Sequence, residues 1–253
     1  MLSEPAVAVR VDVPSPAVQM SLLGRFRLEH DGTEVTLPDG AQRLLAFMAL
    51  QNRTVQRHTI AGTLWPEATE VHATSSLRST LTRMQGFART LVTVAPRTVG
   101  LSAGVSVDLW EARAFARRLL AEGDGWRPVN PDIEAISLLS AELLPDWLDD
   151  WAIVEAEEWR QLRLHALEAF AARLTAVRRF ADAAASALAA VRAEPLRESA
   201  RAALIRVHIA EGNPTEALRE FDRYSALLDA ELGVEPTDRL RDLVALLWPV
   251  TLP

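Results

Sequence analysis

The chain has 253 residues, enough for about two domains with substantial cores, and carries 27 basic against 34 acidic residues for a net charge of -7. Every basic residue is arginine and there is no cysteine, which excludes a disulfide framework and any thiolate metal site. The five histidines, at positions 30, 58, 72, 165 and 208, make no HExxH or other close ligand pair, so neither metal nor cofactor is expected.

No apolar run reaches the roughly 20 residues that cross a bilayer, and Met1 to Ala17 lacks the basic start and apolar core of a signal peptide. A cytoplasmic location without membrane contact is the expectation. The acidity is uneven. From Val18 to Asp108 nine arginines face seven acidic residues, a balance of +2, whereas from Leu109 to Pro253 seventeen face 25, a balance of -8. Binding to nucleic acid depends on the local face and not on the total.

Met1 to Ala17, with Pro5, Pro14 and Pro16, has no amphipathic period and reads as a loose arm. Met20, Leu22, Phe26 and Leu28 then recur at even positions with Arg25 and Arg27 between them, the alternation of a half-buried strand. His30-Asp31-Gly32-Thr33 holds the Asp-Gly pair of a tight hairpin, and Glu34 to Leu37 returns as a second strand until Pro38-Asp39-Gly40 breaks it.

Ala41 to Gln51 has Leu44, Leu45, Met48 and Ala49 at helical spacing and reads as a core helix. Gln42 and Arg43 at its start are candidates for phosphate contact, because a helix amino end offers free N–H groups and partial positive charge. Arg57 opens the next segment, in which Thr59, Ile60, Leu64 and Trp65 form a short helical run ended by Pro66. After a turn through Glu67 to Glu70, Val71 to Gln85 places Ala73, Leu77, Leu81 and Met84 on one side. Ser75, Arg78, Ser79, Thr82 and Arg83 fall mainly on the other, and no acidic residue occurs between Ala73 and Arg89. That order is a helix-turn-helix with a polar outer face suited to DNA.

Leu91 to Val94 and Val99 to Val107 read as strands around Ala95-Pro96-Arg97-Thr98, a hairpin whose tip offers Arg97 and Thr98 to a groove or phosphate. Two strands, a core helix, a helix-turn-helix and a closing hairpin make a winged helix. From Trp110 the pattern is helical: Glu111 to Ala121, a Gly123 to Pro128 loop, Pro131 to Leu143, an acidic aromatic turn from Asp146 to Trp151, and a long helix from Ile153 to Ala176. Ala183 and Ala217 lie 34 residues apart in similar settings, and with Ala171, Ala190 and Pro195 this resembles the tetratricopeptide repeat.

The fold class expected is therefore mainly α with a small β component. It comprises an arm (1–17), a winged helix-turn-helix domain (18–108) and an all-α tetratricopeptide-like bundle (109–253). Trp65, Trp147, Trp151 and Trp159 are scattered without interleaved bases and read as packing residues. The carboxylates Asp149, Asp150, Glu155, Glu157 and Glu158 read as an acidic helix start, and no nucleophile-elbow sequence appears, so an enzyme is not expected.

The phrases Leu144-Pro145-Asp146-Trp147, Asp149-Asp150-Trp151, Arg160-Gln161-Leu162-Arg163, Glu194-Pro195-Leu196-Arg197-Glu198, Ala210-Glu211-Gly212-Asn213 and Glu231-Leu232-Gly233-Val234-Glu235-Pro236 follow a winged helix. In that order they closely resemble the Streptomyces antibiotic regulatory proteins, over about Met20 to Leu247. Those proteins join an OmpR-like DNA-binding domain to a bacterial transcriptional activator domain.

The resemblance implies a homodimer, at least on DNA, that binds repeated half-sites in double-stranded promoter DNA and contacts RNA polymerase holoenzyme. It also implies control of a secondary-metabolite gene cluster. Family members often end the recognition helix in Arg-Leu-Arg-Lys, whereas this sequence has Arg83-Met84-Gln85-Gly86-Phe87-Ala88-Arg89, so fewer phosphate contacts and a shallower salt slope are expected. The sequence has no GxxxxGK[ST] for a nucleotide switch. The competing reading is a protein-interaction or ligand-sensing adaptor whose winged helix has lost its affinity for DNA.

Overall fold

The computed structural model describes residues 18–84, 86–121, 133–245 and 247. The expected arm and the 123–128 loop lie outside them. The described chain forms two compact units, one from residues 18–20 and 27–107, the other from 21–26 and 108 onward.

The first unit contains β1 (Val18–Ser21), β2 (Arg27–His30), β3 (Thr33–Glu34), α1 (Asp39–Gln51), β4 (Val55–Gln56), α2 (Arg57–Leu64), α3 (Glu70–Arg83), α4 (Phe87–Thr90), β5 (Val92–Val94), β6 (Thr98–Leu101) and β7 (Val105–Val107). One sheet has the order β3-β2-β1-β7 and the other β4-β6-β5. The turn between β2 and β3 has Asp31 at φ 48° and Gly32 at φ 75°, the two positive values that let a two-residue hairpin follow the strand twist. Helix α1 starts at Asp39, two residues before its apolar period, because the Pro38 carbonyl accepts the N–H groups of Ala41 and Gln42. It buries Ala41 and every residue from Leu44 to Leu50, so it is a core helix on almost all sides.

Three strand expectations are corrected: the return strand expected over Glu34 to Leu37 is only β3, Thr33–Glu34, with the Val35 N–H still donating to the Leu28 carbonyl at 2.8 Å. The alternation from Met20 to Leu28 predicts one strand, but β1 and β2 are separate, and Gly24 at φ 83° lies between them. The intervening segment pairs within the second unit: Leu23 bridges Leu143, the Gly24 N–H donates to the Glu142 carbonyl at 2.6 Å, and Leu144 donates to Leu22 at 3.0 Å. Period-two patterning cannot distinguish a ladder partner in the next strand from one more than a hundred residues away. Likewise Val99 to Val107 is not one strand but β6 and β7, and β7 runs parallel to β1 with Val18 opposite Val105.

The second unit contains α5 (Asp108–Ala121), α6 (Ile133–Ser140), α7 (Asp150–Ala176), α8 (Phe180–Ala193), α9 (Glu198–Glu211), α10 (Pro214–Leu232) and α11 (Asp238–Ala245). Successive helices from α7 to α10 pack on one another, and α5 packs on α7 with Phe115 and Phe170 edge to face at 5.7 Å. Ala171, Ala183, Ala190 and Ala217 have no exposed surface, consistent with small residues being needed where helix pairs approach closely. Gly212 at φ 90° ends α9, and Pro214 opens α10 with φ already set for a helix. Around Tyr224, whose hydroxyl donates to the Leu196 carbonyl, Ile205, Ala217, Leu228, Leu240 and Val244 close the far end of the bundle.

Candidate nucleic-acid interface

Helix α3 is positioned from below. Ala73, Leu77, Leu81 and Met84 are buried at spacings of four, four and three, and the helix packs on α2 and α1. The Thr69 hydroxyl caps the amino end by accepting the His72 N–H at 3.4 Å. At the other end Met84 is the C-cap, and Gly86 at φ 56° turns the chain into α4, where Phe87 stacks on His30 at 3.9 Å. The helix thus stops at Arg83, shorter than the Val71 to Gln85 periodicity predicts.

With that underside fixed, the outer surface from Thr74 to Arg83 consists of exposed Thr74, Ser75, Arg78, Ser79, Thr82 and Arg83. The Thr82 hydroxyl donates to the Arg78 carbonyl at 2.9 Å, while Arg78 and Arg83 are both exposed without a described ion pair. An aqueous surface with two guanidinium groups, several hydroxyls and no carboxylate can donate to phosphate oxygens and to guanine edges.

A second cluster forms at the start of α2. Strand β4 pairs with β6, placing Val55 opposite Val99 and Gln56 opposite Thr98, and the Arg57 N–H donates to the Arg97 carbonyl at 2.9 Å. Arg57, Arg97 and Thr98 are therefore brought together, with Arg97 exposed at the hairpin tip and Arg57 and Thr98 half-buried. β4 had no sequence signal, being only two residues long.

Gln42 and Arg43 are engaged inside the unit. The Gln42 amide donates to the Leu37 carbonyl at 2.8 Å, and Arg43 donates to the Leu64 carbonyl at 3.0 Å, satisfying a carbonyl that the end of α2 leaves open. Sequence reasoning passed over Val71 and Thr74. Val71 is 77% exposed at the first turn of α3, and its signal is an apolar residue off the buried stripe.

In the helical unit two of the carboxylates at the start of α7 have arginine partners. Glu155 meets Arg113 at 2.6 Å, and Glu157 meets Arg160 at 2.8 Å. Among the described residues there is no group of three or more side chains suited to a metal, and no helix long and apolar enough to cross a membrane. Trp159 is buried with its indole N–H on the Ala141 carbonyl, and Trp147 packs edge to face on Trp151 at 5.8 Å.

The family model described as bacterial transcriptional activator domain matches residues 107–247. Among solved structures, the chain is similar to Mycobacterium tuberculosis EmbR in complex with low affinity phosphopeptide, at 23% identity and a TM-score of 0.58. The match covers 91% of this chain and 65% of that one, so this chain spans about two thirds of the length of its structural relative. At that identity the likeness establishes the fold. No curated protein sequence matches.

Proposed function

From the premise that this chain belongs to the bacterial transcriptional activator domain family of antibiotic-regulatory-type transcriptional regulators, we propose that it is a sequence-specific DNA-binding activator. The observation that carries the reading is the outer face of α3, where hydroxyls and arginines stand opposite the buried apolar stripe of Ala73, Leu77, Leu81 and Met84. Helix α3 enters the major groove, Arg78 and Arg83 contact guanine edges or phosphates, and Ser75, Ser79 and Thr82 add hydroxyl contacts. Arg97 and Thr98 at the hairpin tip, with Arg57 beside them, hold the adjacent backbone, and Gln42 and Arg43 support the frame that aims α3.

The protein binds as a homodimer on repeated half-sites, and the helical unit contacts RNA polymerase holoenzyme at a secondary-metabolite promoter. The winged helix corresponds to residues 18–108 and the activator domain to 109–253.

An electrophoretic shift with DNA from the protein's own gene neighbourhood tests the proposal. Binding is expected for the wild type, with a loss of ~1–3 kcal/mol for Arg78→Ala or Arg83→Ala if each contacts a guanine. No binding at low salt, with or without polymerase, overturns the proposal in favour of an adaptor.

A further inference from the structure

Within the helical unit, the loop between α6 and α7 and the first turns of α7 surround a cavity of about 350 Å³. That volume lies in the range of small-molecule sites. Trp147, Leu148, Ile153 and Trp159 are part of its apolar wall. Leu148 is 85% exposed and Ile153 48% exposed, so large apolar side chains are left bare at a cavity, a mark of a binding surface.

The polar part of the wall sets two carboxylates, Glu142 and Glu157, beside two guanidinium groups, Arg160 and Arg163, and the two arginines are unequally paired. Arg160 is occupied by Glu157 and Glu194, at 2.8 and 2.5 Å. Arg163 is 3% exposed and far less satisfied. One of its terminal nitrogens donates to the Ser140 carbonyl at 2.8 Å, while the other stands 3.6 Å from Glu142, beyond hydrogen-bond reach. Its Nε is shielded from solvent and meets no acceptor among the described residues. Burial disfavours the Arg163 charge; the 62% exposed Glu142 side chain attracts it from 3.6 Å, and repulsion from Arg160 offsets part of that attraction. A buried guanidinium whose carboxylate partner is largely in solvent and beyond hydrogen-bond distance is incompletely compensated, and an anion that hydrogen-bonds to it relieves that.

We propose that this cavity binds a small organic anion, its acid group received by Arg163 and its apolar body lodged among Trp147, Trp159, Leu148 and Ile153. The incoming acid group displaces the exposed Glu142 side chain from the guanidinium. The binding is separate from any affinity for DNA and is measured without it.

The test uses the full chain with 1-anilinonaphthalene-8-sulfonate, an anion with an aromatic body, followed by energy transfer from tryptophan. Saturable one-to-one binding is expected, competed at least ~10-fold better by 4-phenylbutyrate than by 4-phenylbutyramide, because only the first carries a charge for Arg163. Glu142→Gln removes the competing carboxylate and should tighten the probe at least ~3-fold. Leu148→Glu, at an exposed position that the fold tolerates, should weaken it at least ~10-fold with unchanged circular dichroism. Failure to saturate, equal competition by acid and amide, or indifference to both substitutions each overturns the proposal.

Discussion

Asp108 gives the sharpest test of how the helical unit holds residues 21–26. Its carboxylate accepts the N–H groups of Leu22 at 2.9 Å and Leu23 at 3.1 Å, which lie 86 and 85 positions away in the chain, and that of Leu109 at 2.7 Å. Asp108→Ala leaves the two distant N–H groups without an acceptor, at ~1–3 kcal/mol each. Both sites are partly buried, so the lower half of the summed range applies, a loss of about 2–4 kcal/mol. Asp108→Asn keeps one acceptor oxygen and turns an amide donor toward the other N–H, for a loss of about 1–3 kcal/mol.

Burial raises the Asp108 carboxyl above its ordinary 3.8, against the opposing pull of the three N–H groups. A raised folded value means that the native state binds the proton more tightly than the unfolded chain. The stability this group contributes is therefore fully present below 3.8 and declines as pH rises through the folded value. Asparagine has no such step, so the gap between wild type and Asp108→Asn should narrow across that window. Urea unfolding at a series of pH values, with amide exchange at Leu22 and Leu23, measures both effects. If Asp108→Ala stays within about 0.5 kcal/mol of wild type with both amides protected, or the Asn gap widens with pH, the reasoning is wrong.

In the hairpin, a Cβ on Gly100 would stand 2.9 Å from the Thr54 Cγ2, so Gly100→Ala should destabilise by ~1–3 kcal/mol and Thr54→Ser should recover most of it in calorimetry. No rescue would show that the strain lies elsewhere. The exposed Glu157 carboxyl is lowered to about 2, chiefly by its hydrogen bond to Arg160 and next by Gln161. Its contribution is present above 4.5 and lost as pH falls through about 2. A carboxyl-carbon NMR titration should therefore show a low midpoint that Arg160→Ala returns toward 4.5; a wild-type midpoint already near 4.5 contradicts the pairing. Ala190, without exposed surface in α8, should not accept leucine, with a loss of ~1–3 kcal/mol in urea unfolding, whereas exposed Arg192→Ala should be nearly neutral.

Long amphipathic elements were legible in the sequence because their periods repeat. The buried stripe of α3, the core face of α1, the Asp-Gly hairpin and the small residues of the α8 and α10 helices all stand where spacing placed them. Short or non-local elements were not. β4 has two residues and is defined only by its partner β6, while the Leu22 to Phe26 segment looks like strand but satisfies its backbone against Asp108 and the 142–144 segment. For the candidate interface, helical spacing identified which arginines face outward. It did not reveal that the Arg43 guanidinium binds the end of α2, since a hydrogen bond to a carbonyl 21 residues away leaves no local pattern.

The central claim is that α3 and the hairpin present guanidinium groups to a duplex, and the salt dependence of DNA binding measures it most directly. Arg57, Arg78, Arg83 and Arg97 as four phosphate contacts per protomer give a slope of log K against log salt of about -3.6 for each protomer bound. Replacing Arg78, Arg83 or Arg97 by alanine should make that slope shallower by ~0.9 per phosphate contact removed. Binding whose slope none of these substitutions changes would contradict the account.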